Sequence, residues 1–184
     1  MSRLCVVAMG DVEQEVVDEA ARCLRETLNA AVDVWPALGE PAGAFDSERG
    51  QYSATEYLRL LAGNAPPNGS KIVGLTGRDL FIPMLTFLFG QAQLRGPVAL
   101  VSVARLRPEF YGLPPDSEVL ASRLRKEVLH ETGHAFGLIH CSDPGCAMSL
   151  STALQHVDAK EAAYCASCRR MIGRALEGFR KEGR

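Results

Sequence analysis

The sequence predicts an α/β fold, in which a sheet is combined with helices. Apolar runs rich in Val, Ile and Leu, at residues 4–9, 71–76 and 97–106, are typical of buried strands. Segments with helical apolar periodicity lie between and after these runs. With 184 residues, of which 47% are hydrophobic and 23% charged, the chain has the size and composition of a globular protein. We therefore expect a single domain over residues 1–184.

Apolar periodicity and breaker residues define the elements of the first half. Asp11 is a favourable N-cap residue ahead of an apolar stripe at helical spacing, which consists of Val12, Val16, Val17, Ala20, Cys23 and Leu24. A stretch rich in Gly, Pro and charge predicts a long loop, and the run NAPPNGS predicts a chain break. The expected order is a strand at 4–9, a helix at 11–29, a strand at 31–35, a loop at 36–52 and a short helix at 53–62.

The second half is predicted to begin with three strands and to end with two helices. The strands are expected at 71–76, 85–90 and 97–106. Pro114 and Pro115 stop the chain, and Asp116 can cap the following helix, which we expect over 117–136. A final helix is expected over 158–181.

Charge and hydropathy exclude several classes of partner. Twenty basic and 22 acidic side chains give a net charge of −2, which offers no general attraction to nucleic acid or to an anionic membrane. The first apolar run, at 4–9, is too short for a secretory signal. The longest run, at 81–90, is about half of a membrane span and contains Pro83. We therefore expect a cytoplasmic monomer that binds neither nucleic acid nor membranes.

The most informative stretch is HETGHAFGLIH, which runs from His130 to His140. On a helix, His130 and His134 lie about 40° apart on one face, so both can reach a single metal ion. Gly137 can take the left-handed conformation that ends a helix, and the chain can then return His140 as a third ligand. Three neutral imidazoles on Zn²⁺ leave a fourth position for water, which is the arrangement of a catalytic site.

Glu131 follows the first of these ligands and would project beside the metal. Zinc lowers the pKa of water from about 15.7 toward 7, and a nearby carboxylate can accept the proton and pass it to a leaving amine. The residues thus predict hydrolysis of an amide bond with Glu131 as the general base.

Four of the six cysteines lie close together in the sequence, as Cys141-x4-Cys146 and Cys165-x2-Cys168. Thiolates suit tetrahedral zinc, and two close pairs separated by a loop have the spacing of a structural zinc site. A redox pair at Cys165 and Cys168 is the alternative, because a C-x-x-C motif alone occurs in both kinds of protein.

Other reactive side chains are assigned to packing or to the surface. Cys5 and Cys23 are expected to be buried thiols. His156 lies in a polar stretch and is expected to be exposed. Tyr164, beside Cys165, is expected to pack in the interior, although a role in stabilising an oxyanion stays open.

The string HETGHAFGLIHCSDPGCAM, followed by CASC, resembles the archaemetzincins, a family of metzincin zinc peptidases. Weaker similarity extends through LTGRDLFIP, FLFGQAQLRG and VALVSVARLRPEFYG. The resemblance implies a catalytic zinc ion on His130, His134 and His140 and a structural zinc ion on Cys141, Cys146, Cys165 and Cys168. It also implies that Glu131 is the general base and that Met148 is the Met-turn residue, packed beneath the zinc site without ligating the metal.

The implied fold is that of a metzincin: a twisted, mixed five-stranded sheet with one antiparallel edge strand, a backing helix, an active-site helix and a C-terminal helix. The edge strand is expected near 85–90, where an extended peptide could pair with it. Other metzincins carry a tyrosine two residues after the methionine. Here that residue is Leu150, so this position supplies no hydroxyl to an oxyanion.

The residues and the resemblance together predict a zinc-dependent metallopeptidase with a peptide substrate, and aminopeptidase action on small peptides is one form of this prediction. A non-catalytic, zinc-stabilised module that binds a peptide or a partner is the alternative. Glu131 argues against that alternative, because a purely structural site gains nothing from an adjacent base. A thiol redox protein that uses Cys165 and Cys168 is the third and weakest interpretation.

Overall fold

A twisted mixed sheet organises the fold, which is described by a computed structural model of residues 3–66 and 69–182. Within these residues five strands form the main sheet, in the spatial order β2 (Val32–Leu38), β1 (Leu4–Met9), β5 (Lys71–Thr76), β9 (Val98–Ser102) and β8 (Gly90–Ala92). The first four strands are parallel and β8 is antiparallel to β9. The predicted mixed sheet with an antiparallel edge strand is confirmed.

The position of the edge strand differs from the prediction. Within the strand expected at 85–90, only Gly90 belongs to the main sheet. Residues Leu85–Leu88 form β7, which belongs to a second sheet with β3 (Phe45–Asp46), β4 (Gln51–Ser53) and β6 (Leu80–Ile82). The chain thus passes from one sheet to the other at Phe89. A continuous apolar run carries no signal for such a change of partner, which is a tertiary event.

The alternation of side chains along β1 explains why both faces of the main sheet are covered. Leu4, Val6 and Ala8 face a core built with helices α1 (Gln14–Leu28) and α3 (Ser117–Ala135). Cys5, Val7 and Met9 face a second core, to which helix α2 (Ala54–Asn64) contributes. Because successive side chains of a strand point to opposite faces, a strand buried on both sides reads as one apolar run. Cys5 and Cys23 are buried in these cores, as predicted.

Of the two predicted helix N-cap residues, the one for α3 is observed and the one for α1 is not. Helix α3 begins as expected, since the Asp116 side chain accepts hydrogen bonds from the backbone N–H groups of Glu118 and Val119 at 3.0 Å. Helix α1 does not begin at Asp11: the residue at its N-cap is Glu13, and the helix starts at Gln14.

Three further predictions needed correction. The loop expected over 36–52 contains the end of β2 and the short strands β3 and β4. The strand expected to reach residue 106 ends at Ser102 and is followed by a 3-10 turn, Ala104–Leu106. The helix expected over 158–181 begins only at residue 166, as α5 (Ala166–Glu182), and residues 158–159 are the end of a separate short helix, α4 (Leu154–Ala159). The segment between them turns inward and buries Lys160 and Tyr164, a tertiary requirement that helical periodicity does not reveal.

Candidate metal centre

Helix α3 and the turn after it bring three imidazoles together. His130 and His134 lie one turn apart on α3, and their Nε2 atoms are 3.1 Å apart. Gly137 has a φ of +95°, and the N–H groups of Gly137 and Leu138 bond back to the carbonyl groups of His134 and Gly133 at 2.8 and 2.9 Å. This C-terminal turn suits glycine because a left-handed conformation strains other residues. It returns His140 so that one ring nitrogen of each histidine lies within 4.8 Å of the others.

The hydrogen bonds of the other ring nitrogens fit these histidines for a metal. His130 Nδ1 lies 2.8 Å from the carbonyl oxygen of Ala147, and His134 Nδ1 lies 2.8 Å from that of Leu138. A carbonyl oxygen only accepts, so each Nδ1 carries the proton and each Nε2 presents a lone pair. Two lone pairs facing each other at 3.1 Å repel unless a cation lies between them. Zinc, which binds histidine nitrogens at about 2.0–2.1 Å, fits this arrangement.

Burial keeps the three imidazoles in the neutral form that binds metal. It lowers the pKa of His130 to about 3, and the positive charge of Lys160 acts in the same direction. Burial also lowers the pKa values of His134 and His140. The histidines are therefore ready to ligate without losing a proton near neutral pH.

Glu131 lies in the same cleft as the histidines and is only 4% exposed. Its side chain approaches the edge strand closely, since a Cβ on Gly90 would lie 2.6 Å from Glu131 Cγ. Burial, and then the neighbouring carboxylate of Glu127, raise the pKa of Glu131 well above its ordinary value, while Lys160 opposes the shift. A carboxyl group with a raised pKa is better suited to carry a proton near neutral pH.

The cleft has a volume of about 640 Å³ and is open to solvent. One wall is the segment 85–92, which forms β7 and β8, and the opposite side includes α3 and residues 150–152. Exposed apolar side chains line this cleft: Leu85, Leu94, Ile139 and Leu150. Leu150 therefore gives the cleft an apolar surface at the position where the resemblance led us to look for a tyrosine.

Met148 lies fully buried against the helix that carries the ligands. A Cβ on Gly133 would overlap the Sδ atom of Met148, so the absence of a side chain at Gly133 allows the thioether to contact α3 beside His134. The structure thus shows Met148 in packing contact with the ligand helix.

The four clustered cysteines form a second site. Their Sγ atoms all lie within 4.8 Å of one another, and Cys141 and Cys165 are 3.9 Å apart. Backbone N–H groups of Met148 and Cys165 point at Cys146 Sγ, at 3.4 and 3.3 Å. The backbone N–H of Cys168 is the main reason that the pKa of Cys165 is lowered to about 7. N–H groups aimed at sulfur favour thiolates, while burial acts in the opposite direction and raises the pKa values of Cys146 and Cys168. Four converging sulfur atoms suit tetrahedral zinc better than an isolated redox pair.

Two other sequence assignments can be compared with the structure. The Tyr164 hydroxyl donates to the carbonyl oxygen of Leu129 at 2.7 Å, and the residue is buried, so the packing prediction is confirmed. His156 is exposed on α4 and is not part of the three-histidine cluster.

The sequence analysis did not predict the ion pair that lies beside the histidine cluster. Glu127 and Lys160 are buried beside the site, with Glu127 Oε1 and Lys160 Nζ 2.8 Å apart. The only signal was the position of Glu127, one helical turn before Glu131.

No helix in the described parts of the chain combines the length and the apolar character that crossing a membrane requires.

Comparison with known proteins gives the same assignment as the geometry. Residues 40–174 match Peptidase family M54. The archaemetzincin of Methanocaldococcus jannaschii is 40% identical over 166 residues, which cover 90% of each chain. The crystal structure of archaemetzincin from Methanopyrus kandleri matches with a TM-score of 0.84 at 38% identity and covers 96% of each chain. That of archaemetzincin from Archaeoglobus fulgidus matches with a TM-score of 0.78 at 34% identity, covering 91% of this chain and 98% of the other.

The resemblance seen in the sequence is therefore confirmed over most of the chain. The three-histidine cluster and the four-cysteine cluster correspond to a catalytic and a structural zinc site. With its mixed sheet, its two ligand clusters and its relatives, the chain belongs to peptidase family M54, the archaemetzincins, and is a zinc-dependent metallopeptidase.

Proposed function

We propose that this metallopeptidase cleaves peptide bonds with Glu131 as the general base and His130, His134 and His140 as the ligands of the catalytic zinc ion. The observation that carries the proposal is the buried carboxylate of Glu131, which lies beside three converging imidazoles in an open cleft of about 640 Å³. A buried carboxylate beside neutral metal ligands is the arrangement that zinc-assisted hydrolysis requires.

Glu131 would carry the proton through the reaction. The zinc ion supplies Lewis acidity, which polarises the substrate carbonyl and lowers the pKa of water. A carboxylate oxygen of Glu131 then accepts a proton from the attacking water and delivers it to the nitrogen of the leaving amine. Glu131 is buried and lines the cleft beside the three histidines, so this carboxyl group can hold the proton between the two steps.

Strand β8 is the surface to which we assign the substrate backbone. The N–H of Gln93 bonds to Val98, and the N–H of Ser102 bonds to Phe89, so the hydrogen-bonded pairs of β8 and β9 involve the odd-numbered residues 89, 91 and 93. The N–H and C=O groups of Gly90 and Ala92 therefore point away from β9, at the free edge of the main sheet. An extended peptide can pair with these groups and lie along the cleft that Gly90 and Ala92 line.

We further propose that small peptides with a free amino terminus are among the substrates. Among the described residues that line the cleft, the ionisable side chains other than the three histidines are Glu127 and Glu131. These lining residues include no lysine or arginine that could pair with the carboxylate end of a peptide, so the cleft disfavours that end more than the ammonium end.

The substitution Glu131→Gln tests the mechanism. We expect it to lower kcat by about 10²- to 10⁴-fold, because the proton carrier is removed, and to leave the zinc content unchanged. Glu118→Gln, on an exposed position of the same helix, is the matched control and should keep the wild-type rate. Cleavage of a peptide library is read by mass spectrometry, and zinc per chain is measured on the same samples.

Two outcomes would contradict the proposal. A Glu131→Gln variant with the full rate would exclude Glu131 as general base. A zinc-loaded wild-type protein that binds library peptides without cleaving any of them would favour the non-catalytic binding module.

A further inference from the structure

Apart from its effect on the pKa of Glu131, the buried ion pair between Glu127 and Lys160 has no part in the mechanism described so far. Glu127 is 2% exposed and Lys160 is 1% exposed. Glu127 Oε1 and Lys160 Nζ are 2.8 Å apart. Removing two charges from water is costly, and an apolar pair of similar volume often stabilises a fold as well. The position of the pair beside the metal ligands therefore calls for an explanation other than stability.

The ammonium group of Lys160 connects three parts of the chain. It pairs with Glu127 on α3, and it donates to the carbonyl oxygens of Ala147 and Ser149 at 3.3 and 3.4 Å. These two carbonyl groups flank Met148, so one side chain holds the methionine segment to the ligand helix.

The carbonyl oxygen of Ala147 is the point at which this network reaches the metal site. It accepts the hydrogen bond of His130 Nδ1 at 2.8 Å as well as that of Lys160. The carbonyl that orients the His130 ring is thus itself held by the ammonium group. Hydrogen-bond partners of this kind fix the tautomer and the orientation of a metal-ligating histidine.

Charge explains why the ammonium group of Lys160, which donates to the carbonyl oxygen of Ala147, is paired with Glu127. Glu127 and Glu131 lie one turn apart on α3, and both are buried. An unpaired ammonium in this position would repel a dication at the three histidines. Pairing with Glu127 leaves the network neutral as a whole, while its N–H donors remain directed at the two carbonyl groups.

We propose that Lys160 is a positioning residue for the catalytic zinc site, which acts through the carbonyl group of Ala147 on the ring of His130. Glu127 is its charge partner and is not among the side chains that converge as metal ligands. The inference rests on the proposed role of His130 as a zinc ligand and is independent of the role of Glu131.

Zinc affinity, measured without turnover, tests this proposal. Purified protein is dialysed against increasing concentrations of dipicolinate, and zinc per chain is determined; the step that is missing in His134→Ala belongs to the histidine site. We expect Lys160→Met to raise the zinc dissociation constant of this site about 10- to 100-fold. A wild-type dissociation constant in this variant would overturn the proposal.

A double variant separates positioning from stability. In Glu127→Gln/Lys160→Met the unpaired buried carboxylate is gone, so the thermal unfolding midpoint, measured with the histidine site emptied by chelator, should recover most of the loss seen in Lys160→Met. Zinc affinity should stay low, because the carbonyl oxygen of Ala147 still lacks the hydrogen bond from Lys160. Recovery of zinc affinity together with the midpoint would show a purely structural role and refute the proposal. The double variant also carries the test if Lys160→Met does not fold.

Lys126→Met is the matched control. Lys126 precedes Glu127 on α3, is buried, and donates to a carbonyl oxygen, that of Asp158, at 3.1 Å. This contact does not reach a metal ligand. The control should lower the unfolding midpoint and leave zinc affinity unchanged, whereas an equal loss of zinc affinity would show that any buried lysine of this region has the same effect and would overturn the proposal.

Discussion

His140 and Cys141 are joined by one peptide bond, but their side chains belong to two different ligand clusters. His140 is exposed, so packing does little to hold its ring. The backbone N–H of Cys141 donates to the carbonyl oxygen of Met148 at 2.9 Å, and the backbones of Cys141 and Ser149 form an isolated parallel β-bridge. The cysteine cluster therefore anchors the segment that presents the third histidine.

Loss of the structural zinc ion should weaken the catalytic site. In Cys165→Ser we expect the cysteine site to lose its zinc, because one of its four thiolates is missing, and the histidine site to release zinc at a lower chelator concentration, because His140 is held less firmly. Zinc per chain, measured during chelator titration, checks both effects. Cys23→Ala, at a buried thiol outside the cluster, should keep both ions. Wild-type retention at the histidine site of Cys165→Ser would show that the two sites are independent.

Gly90→Ala should impair catalysis without removing zinc. The new Cβ would lie 2.6 Å from both Glu131 Cγ and the carbonyl oxygen of Leu100, so the carboxylate and the edge strand cannot both keep their positions. We expect kcat to fall at least tenfold, since a misplaced base transfers a proton poorly. Gly63→Ala, where a Cβ meets nothing within 4 Å, is the control and should keep the wild-type rate. An unchanged kcat in Gly90→Ala would mean that the position of Glu131 is not critical.

Ala92→Pro tests the assignment of β8 as the substrate-binding edge. Proline removes an N–H that points away from β9, so the sheet itself loses no hydrogen bond while a pairing peptide does. We expect KM for peptides to rise several-fold and zinc content to stay the same. Ala92→Gly retains the N–H and should bind peptides as the wild type does. Equal KM values for the proline and glycine variants would argue against pairing at this edge.

Gly133→Ala should destabilise the ligand helix. The added Cβ would overlap Met148 Sδ and lie 3.4 Å from Tyr164 Cε1, inside a region with no free space. Overpacking of this kind costs about 1–3 kcal/mol in the free energy of unfolding. Gly173→Ala on α5 meets nothing within 4 Å and should instead stabilise the protein by about 0.5–1 kcal/mol, through helix propensity. Urea unfolding of the two variants gives the comparison, and equal stabilities would contradict the packing role of Met148.

Local patterns predicted the parts of the site that depend on neighbours in the sequence. The Asp116 cap, the ligand face of α3 and the turn at Gly137 all follow from residues within a few positions of one another. The position of the edge strand was predicted wrongly because β8 has three residues and continues an apolar run that belongs to another sheet.

The missed parts depend on contacts between distant residues. Lys160 lies in a segment whose sequence predicts a helix, and the carboxylate with which it pairs, that of Glu127, is 33 positions earlier in the chain. The late start of α5 and the ion pair occur together, since the segment between α4 and α5 carries Lys160 into the interior.

The shortness of β8 also bears on aggregation of the folded protein through this sheet edge. An unpaired sheet edge can recruit the same edge of another copy and so start aggregation. Three residues offer too few backbone groups for such growth between folded copies, whereas the proposed pairing with a substrate peptide needs only the N–H and C=O groups of Gly90 and Ala92. At the β8 edge, the enzyme can thus expose unpaired backbone groups without offering a template for aggregation.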